Sequence, residues 1–89
     1  MLAKNTVLIN RVGLHARPAM FFIQKANEFK SNIWVEQGTR RVNAKSLLGV
    51  LSLGVVQGEE ITIVADGEDE FDAISNLTEL IETNFGEHE

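Results

Sequence analysis

Hydrophobic and polar positions follow two different periods along this chain, and the changes of period divide it into seven predicted elements. A period of two is typical of a strand with one covered face, whereas apolar residues at steps of three and four are typical of an amphipathic helix. Strands are predicted around 7–9 and over 32–36, 40–43 and 60–66. Helices are predicted over 16–29, 46–53 and 69–85. The element order is therefore βαββαβα.

Each predicted helix carries one apolar stripe, and the predicted strands are apolar mainly on one face. In the short second helix the stripe consists of Leu47, Val50 and Leu53, whereas Leu48 and Leu51 point away from it. Such helices pack on a single face of a mostly antiparallel sheet. Because the chain has no internal repeat or linker, we expect one domain over 1–89, of the α/β (α+β) class.

Composition limits the size and the partners of the protein. The 89 residues are 44% hydrophobic and 24% charged, which suits one globular core. The net charge of −5 argues against a nucleic-acid partner, although all eight Lys and Arg residues lie within 1–45 and eleven of the thirteen carboxylates within 59–89. There is no cysteine, no apolar run of the roughly 18 residues that a membrane span needs, and no signal-peptide pattern. We therefore expect a cytoplasmic location without membrane insertion.

The motif Gly-Leu-His-Ala-Arg-Pro-Ala at 13–19 places polar chemistry at the predicted start of the first helix. Pro18 suits a first turn, because its missing N–H is not needed there. First-turn N–H groups, including those of Ala16 and Arg17, lack intrahelical partners and favour a bound anion. The Arg17 guanidinium suits phosphate oxygens. Since an isolated histidine near a helix start is usually a capping or surface residue, the residues alone leave both interpretations of His15 open.

His15 suits phosphoryl transfer if the segment is an anion site. The positive end of the helix dipole disfavours the imidazolium form, which keeps the ring neutral and nucleophilic near pH 7. An added phosphoryl group would place negative charge where the N–H groups and Arg17 can meet it. His88 is the only other histidine, so we expect neither a metal site nor a cofactor.

Two separated motifs resemble one known family. The 13–19 motif is similar to the active-site segment of HPr, the histidine-containing phosphocarrier family of the bacterial phosphoenolpyruvate:sugar phosphotransferase system. The stretch Val-Asn-Ala-Lys-Ser-Leu-Leu-Gly-Val-Leu-Ser-Leu-Gly at 42–54 is similar to the second signature of that family, and the resemblance extends over essentially the whole chain. It implies an open-faced β-sandwich, with a four-stranded antiparallel sheet and three helices on one face. It also implies a carrier rather than an enzyme, since the protein is consumed and regenerated.

The resemblance also implies roles for the residues of the first motif. His15 would accept a phosphoryl group on Nδ1 from enzyme I, which phosphoenolpyruvate charges, and would pass it to sugar-specific IIA domains. Arg17 would assist the transfer.

Ser46 is predicted to be the N-cap of the second helix, because serine is favoured there; the residues alone support no more. The resemblance to HPr proteins of Gram-positive type implies that Ser46 would be phosphorylated by an ATP-dependent HPr kinase/phosphorylase. The product would act with a catabolite control protein in carbon catabolite repression. Its added negative charge would also hinder docking to enzyme I.

Apolar residues outside the predicted stripes indicate a partner surface. Met20 and Phe21 in the first helix, and Leu48 and Leu51 in the second, are expected to be exposed near His15, with Arg17 and Lys45 in a polar rim. The alternative is that some of them belong to the core. Phe21 departs from the family pattern and leaves partner preference open. We predict a monomer whose partner-binding residues are Met20, Gln24, Asn27, Leu47, Leu48 and Leu51.

Three other functions compete with the sugar-uptake carrier. A purely regulatory HPr-like paralogue keeps the serine but lacks the active histidine, so His15 argues against it. A carrier in a nitrogen-related relay is disfavoured by the segment around Ser46. A generic binding module with an accidental motif is disfavoured by the second motif at 42–54.

Overall fold

Three helices pack on one face of a four-stranded antiparallel sheet. The structure is a computed structural model that describes residues 1–11, 13–14 and 16–86. The sheet has the order β1-β4-β2-β3. The predicted element order and the open-faced fold are confirmed. The elements are β1 (Leu2–Val7), α1 (Ala16–Ala26), β2 (Asn32–Gln37), β3 (Arg40–Asn43), α2 (Leu47–Ser52), β4 (Glu60–Asp66), α3 (Glu70–Glu82) and a closing 3-10 turn (Asn84–Gly86).

The first strand lies earlier in the chain than the prediction around 7–9, which is wrong in position. β1 pairs with β4 along its whole length, from Leu2 opposite Ala65 to Val7 opposite Glu60. It is an edge strand in which Thr6 alone is buried, and so little burial leaves a weak alternation in the sequence. The apolar run that follows belongs to a loop, where Leu8 is buried and Ile9 is exposed.

α1 and α3 are both shorter than predicted. Beyond Ala26, the N–H groups of Glu28 and Phe29 donate to carbonyls three residues earlier, at 3.0 and 3.2 Å. This tighter pattern is common where an α-helix ends. After α3, Asn84 and Phe85 both have a φ of 57°, a left-handed value that stops the helix. The turn places Phe85 in the core.

The core lies between the sheet and the helices. β2 and β4 contribute every second residue to it, because alternate side chains of a strand point to the same face. α1 contributes Phe22, which is fully buried, and burial of such a side chain stabilises the fold by about 2 kcal/mol. The largest of the fully buried side chains are those of Leu8, Phe22, Ile33, Val35, Val50, Val55, Ile61, Ile63, Leu77 and Ile81.

Asp69 connects the start of α3 to the turn before β2. Its carboxylate accepts hydrogen bonds from the Lys30 N–H at 2.8 Å, from the Ser31 N–H at 2.9 Å and from the Ser31 hydroxyl at 2.5 Å. These bonds, the one from the Ser31 hydroxyl above all, lower the pKa of Asp69 to about 2. Gly67 makes the close approach possible, because a Cβ there would lie 2.6 Å from Ser31 Oγ.

Candidate functional site

The segment that leads into α1, described at 8–11 and 13–14, is attached to the 54–59 loop that follows α2. Leu8 donates to the Glu59 carbonyl at 3.0 Å and accepts from the Gly58 N–H at 2.8 Å. The Gln57 side chain donates to the Ile9 carbonyl at 3.1 Å. The 54–59 loop therefore supports the backbone that carries the first motif.

Gly13 lies where these two segments come closest. Its φ is +71°, and a Cβ on this residue would lie 2.4 Å from the Val55 carbonyl oxygen and 2.9 Å from Val56 Cα. The left-handed φ disfavours every residue other than glycine, and the two short distances show that backbone atoms fill the space that a Cβ would need. The glycine of the motif therefore serves the packing of the loop.

One peptide unit of this segment is held at both of its ends. The carbonyl of Gly13 accepts a hydrogen bond from Asn10 Nδ2 at 2.7 Å. The N–H of the same unit, which belongs to Leu14, donates to the Val55 carbonyl at 2.9 Å. Its plane is thus fixed one residue before position 15. Asn10 is 3% exposed, and it was not among the predicted site residues, because nothing in the sequence distinguishes this asparagine from a loop residue.

α1 begins at Ala16, as the motif predicted. The N–H groups of Ala16 and Arg17 belong to its first turn and have no acceptor within the helix. This turn contains no acidic residue, so no carboxylate competes for those groups from within the turn. The exposed Arg17 guanidinium lies 6.0 Å from the centre of the Phe21 ring, within the range of a cation–π contact. His15 itself lies outside the described residues.

Ser46 is the N-cap of α2, as predicted. It has extended backbone angles, and its Oγ accepts a hydrogen bond from the Gly49 N–H at 3.1 Å. A cap of this kind satisfies one of the free donors at the helix start. The Ser46 side chain is half-buried.

The other end of α2 is held by an arginine that the sequence analysis did not connect with it. Arg40 of β3 donates to the carbonyl of Ser52 at 2.7 Å and to its hydroxyl at 3.1 Å. The Ser52 hydroxyl donates in turn to the Gly49 carbonyl at 2.6 Å. A cation at a helix C-terminus also complements the helix dipole, so both ends of this six-residue helix are stabilised by side chains.

The predicted partner-binding residues differ in exposure. Leu48 is 82% exposed and Met20 is 49% exposed. Leu47 is 40% exposed, so its prediction as part of the buried stripe is wrong. Leu51 and Phe21 are half-buried against the core, so the expectation that they are exposed is wrong as well. A six-residue helix offers too few positions for its periodicity to define the buried face.

The polar residues of the predicted surface lie on the same two helices or beside them. Gln24 and Asn27 are exposed, and the Asn27 amide donates to the Ile23 carbonyl at 2.9 Å. Lys45 is half-buried and donates to the Phe29 carbonyl at 2.7 Å, which ties it to the turn after α1. Val56 is exposed beside Gly13 and was not predicted, since the sequence does not distinguish it from the buried Val55.

The described residues contain neither a helix that could span a membrane nor a cluster that could hold a metal ion. None of the helices within residues 1–11, 13–14 and 16–86 is long and apolar enough to cross a membrane. The same residues contain no group of three or more histidine, cysteine or acidic side chains arranged to hold a metal ion.

The sequence of residues 2–83 matches the model of the family described as "PTS HPr component phosphorylation site". The fold and this family match together define a phosphocarrier of the phosphotransferase system, a protein that carries a phosphoryl group rather than an enzyme. The chain belongs to the HPr family, which confirms the resemblance of the two motifs.

Three relatives illustrate the match. The chain is 44% identical to the phosphocarrier protein HPr of Neisseria meningitidis over 100% of both chains. It is 48% identical to HPr-C-His from Thermoanaerobacter tengcongensis, whose crystal structure superposes with a TM-score of 0.96 over 100% of both chains. It is also 44% identical to the HPr-like protein Crh of Bacillus subtilis over 81% of this chain and 85% of Crh.

Proposed function

We propose that this chain accepts a phosphoryl group on His15 from phosphorylated enzyme I and passes it to sugar-specific IIA domains. One observation carries the proposal: α1 begins at Ala16, so the residue of the motif with nucleophilic chemistry directly precedes a first turn whose N–H groups have no acceptor within the helix. The attachment of the preceding backbone to the 54–59 loop supports it, because a fixed nucleophile reacts with less loss of entropy.

The chemistry is a displacement at phosphorus. The lone pair of the neutral His15 ring nitrogen, Nδ1 in the family, forms a bond to phosphorus while the bond between phosphorus and enzyme I breaks. Negative charge on the phosphoryl oxygens is then met by the N–H groups of Ala16 and Arg17 and by the Arg17 guanidinium. The reverse displacement delivers the group to a IIA domain.

The exposed leucines of α2 and Met20 of α1 are the proposed docking surface for enzyme I and the IIA domains. Leu48 is 82% exposed, and large exposed apolar side chains are commonly part of partner surfaces. Gln24 and Asn27 would form its polar rim, and Leu51 would support it from its half-buried position.

We further propose that phosphorylation of Ser46 regulates the carrier. Its hydroxyl accepts the cap bond of the helix that carries Leu47 and Leu48, so a phosphate there would add charge beside the proposed docking surface. The kinase would be the ATP-dependent HPr kinase/phosphorylase, and the product would act with a catabolite control protein. The similarity to Crh, described as a catabolite repression protein of Bacillus subtilis, favours this role.

That similarity also favours a second candidate, a purely regulatory protein. The two functions separate at His15, since only a carrier needs a phosphoryl acceptor there. A monomer in the cytoplasm remains our prediction for this chain. Crh was crystallised as a swapped dimer, so light scattering at assay concentration is the measurement that decides the oligomeric state.

The test is incubation with phosphoenolpyruvate and enzyme I, followed by intact mass and acid treatment. We expect one added phosphate that is labile in acid and absent from His15→Ala. A parallel incubation with ATP and HPr kinase should add one acid-stable phosphate, absent from Ser46→Ala. Labelling in the second incubation but not in the first would exclude the carrier and leave the regulatory protein.

A further inference from the structure

Asn10 is the polar side chain of the site for which neither the sequence motifs nor the proposed chemistry accounts. We propose that Asn10 is a positioning residue for phosphoryl transfer, because its amide sets the orientation of the Gly13–Leu14 peptide unit that leads into His15. The proposal rests on the carrier function proposed above.

Asn10 and Gly13 are bonded to each other in both directions. Asn10 Nδ2 donates to the Gly13 carbonyl at 2.7 Å, and the Gly13 N–H donates to the Asn10 carbonyl at 3.2 Å. The first bond acts on one end of the Gly13–Leu14 peptide unit, and the Leu14 N–H bond to Val55 acts on the other. A unit held at one end can rotate about that bond, whereas a unit held at both ends has a single orientation.

The amide is costly for stability. Asn10 is 3% exposed, and its Oδ1 is buried without a hydrogen-bond partner among the described residues. A buried acceptor without a partner lowers stability, whereas an apolar side chain of similar shape would have no such acceptor. Buried polar atoms without a partner are expected mainly at functional sites, where they are kept for another purpose. For Asn10 that purpose is the hydrogen bond from its amide to the Gly13 carbonyl.

Asn10→Leu separates a role of Asn10 in positioning from a role in stability, because leucine keeps the approximate shape of the side chain and removes both polar atoms. It removes the unpartnered acceptor but leaves the Gly13 carbonyl without its donor, so these effects on stability oppose each other. The matched control is Asn76→Leu in α3, where Nδ2 donates to the Asp72 carbonyl at the same distance of 2.7 Å. Asn76 belongs neither to the site nor to the proposed docking surface.

Three quantities are measured for wild type and both variants: the urea midpoint, kcat and KM for transfer from phosphorylated enzyme I, and the NMR shifts and pKa of the His15 imidazole. For Asn10→Leu we expect a kcat about tenfold lower, with KM within about twofold of wild type, because orientation is lost and docking is not. The imidazole shifts and pKa should change, while the urea midpoint stays near that of wild type. Asn76→Leu should leave kcat and the imidazole unchanged.

Unchanged kcat and unchanged imidazole shifts in Asn10→Leu would overturn the proposal. So would a loss of kcat that merely follows a loss of stability, with the imidazole unaltered in the folded fraction. If Asn10→Leu does not fold, Asn10→Ala removes the same donor without bulk and is judged by the same readouts. If the wild type accepts no phosphoryl group, the carrier function is wrong, and the imidazole measurements still decide whether Asn10 orients position 15.

Discussion

Gly13→Ala is the substitution for which the structure predicts the largest effect at the site. Two costs combine in it. A non-glycine residue at a φ of +71° costs about 1 kcal/mol. The added Cβ would also lie 2.4 Å from the Val55 carbonyl oxygen, so the two segments must move apart by about 1 Å to reach an ordinary contact distance.

That movement acts on a hydrogen bond that holds the segment. The Leu14 N–H bond to the Val55 carbonyl spans the displaced region, and such a bond is worth about 1 kcal/mol net. The expected total is a loss of about 2 kcal/mol in the free energy of unfolding, of which the backbone conformation and the hydrogen bond contribute about equal parts. Transfer from enzyme I should fall as well, because the backbone before His15 shifts.

Gly38→Ala is the matched control. Gly38 has a φ of +59°, and a Cβ there would meet nothing within 4 Å, so this variant keeps the backbone cost and lacks the collision. It should lose only about 1 kcal/mol, and the effect of alanine on the unfolded chain is common to both variants. Urea unfolding followed by circular dichroism measures the difference. If Gly13→Ala is no less stable than Gly38→Ala, the close approach of the two segments does not contribute as argued.

Three further predictions follow from described contacts. The lowered pKa of Asp69 means that its stabilising contribution is present above about pH 4 and lost as the pH falls toward 2. Asp69→Asn should therefore reduce the dependence of the melting temperature on pH between pH 2 and 5. Parallel profiles of melting temperature against pH for wild type and variant would contradict this. Ser46→Ala should lower the free energy of unfolding by about 1 kcal/mol through loss of the cap bond to Gly49. Ser46→Asp should keep the stability, because aspartate is also a good cap, but should slow transfer from enzyme I. Urea unfolding measures the first effect, and a transfer assay measures the second. Leu48→Gln should raise KM for enzyme I without changing the urea midpoint. The control is Phe71→Gln, which alters a similarly exposed apolar residue (72% against 82%) outside the proposed surface and should change neither quantity. Equal KM values for the two variants would exclude Leu48 from the docking surface.

The sequence predicted well those parts of the molecule whose local patterns were strong. β3 and β4 have the predicted bounds, and Ser46 is the predicted cap. β1 was displaced because an edge strand with one buried residue has little pattern to detect. The ends of α1 and α3 depend on backbone turns, such as the left-handed pair at Asn84 and Phe85, which propensities do not specify.

The site was predictable where chemistry coincides with a motif and not where it depends on tertiary contacts. The start of α1 at Ala16 follows from the motif itself. Asn10, Arg40 and Val56 were missed, because each acquires its role from a segment distant in sequence or from a turn whose conformation is set by packing. Leu47 and Leu51 were given the wrong exposure because α2 is only six residues long.

The attachment of the first motif to the 54–59 loop has a consequence for synthesis of the chain. Strand β1 and the motif leave the ribosome early, but their partners, the 54–59 loop and β4, are made about fifty residues later. Contacts so distant in sequence delay folding. A nascent chain that ends before β4 therefore contains the whole 13–19 motif without the loop that fixes its backbone, and the motif is held in place only after the 54–59 loop and β4 have followed.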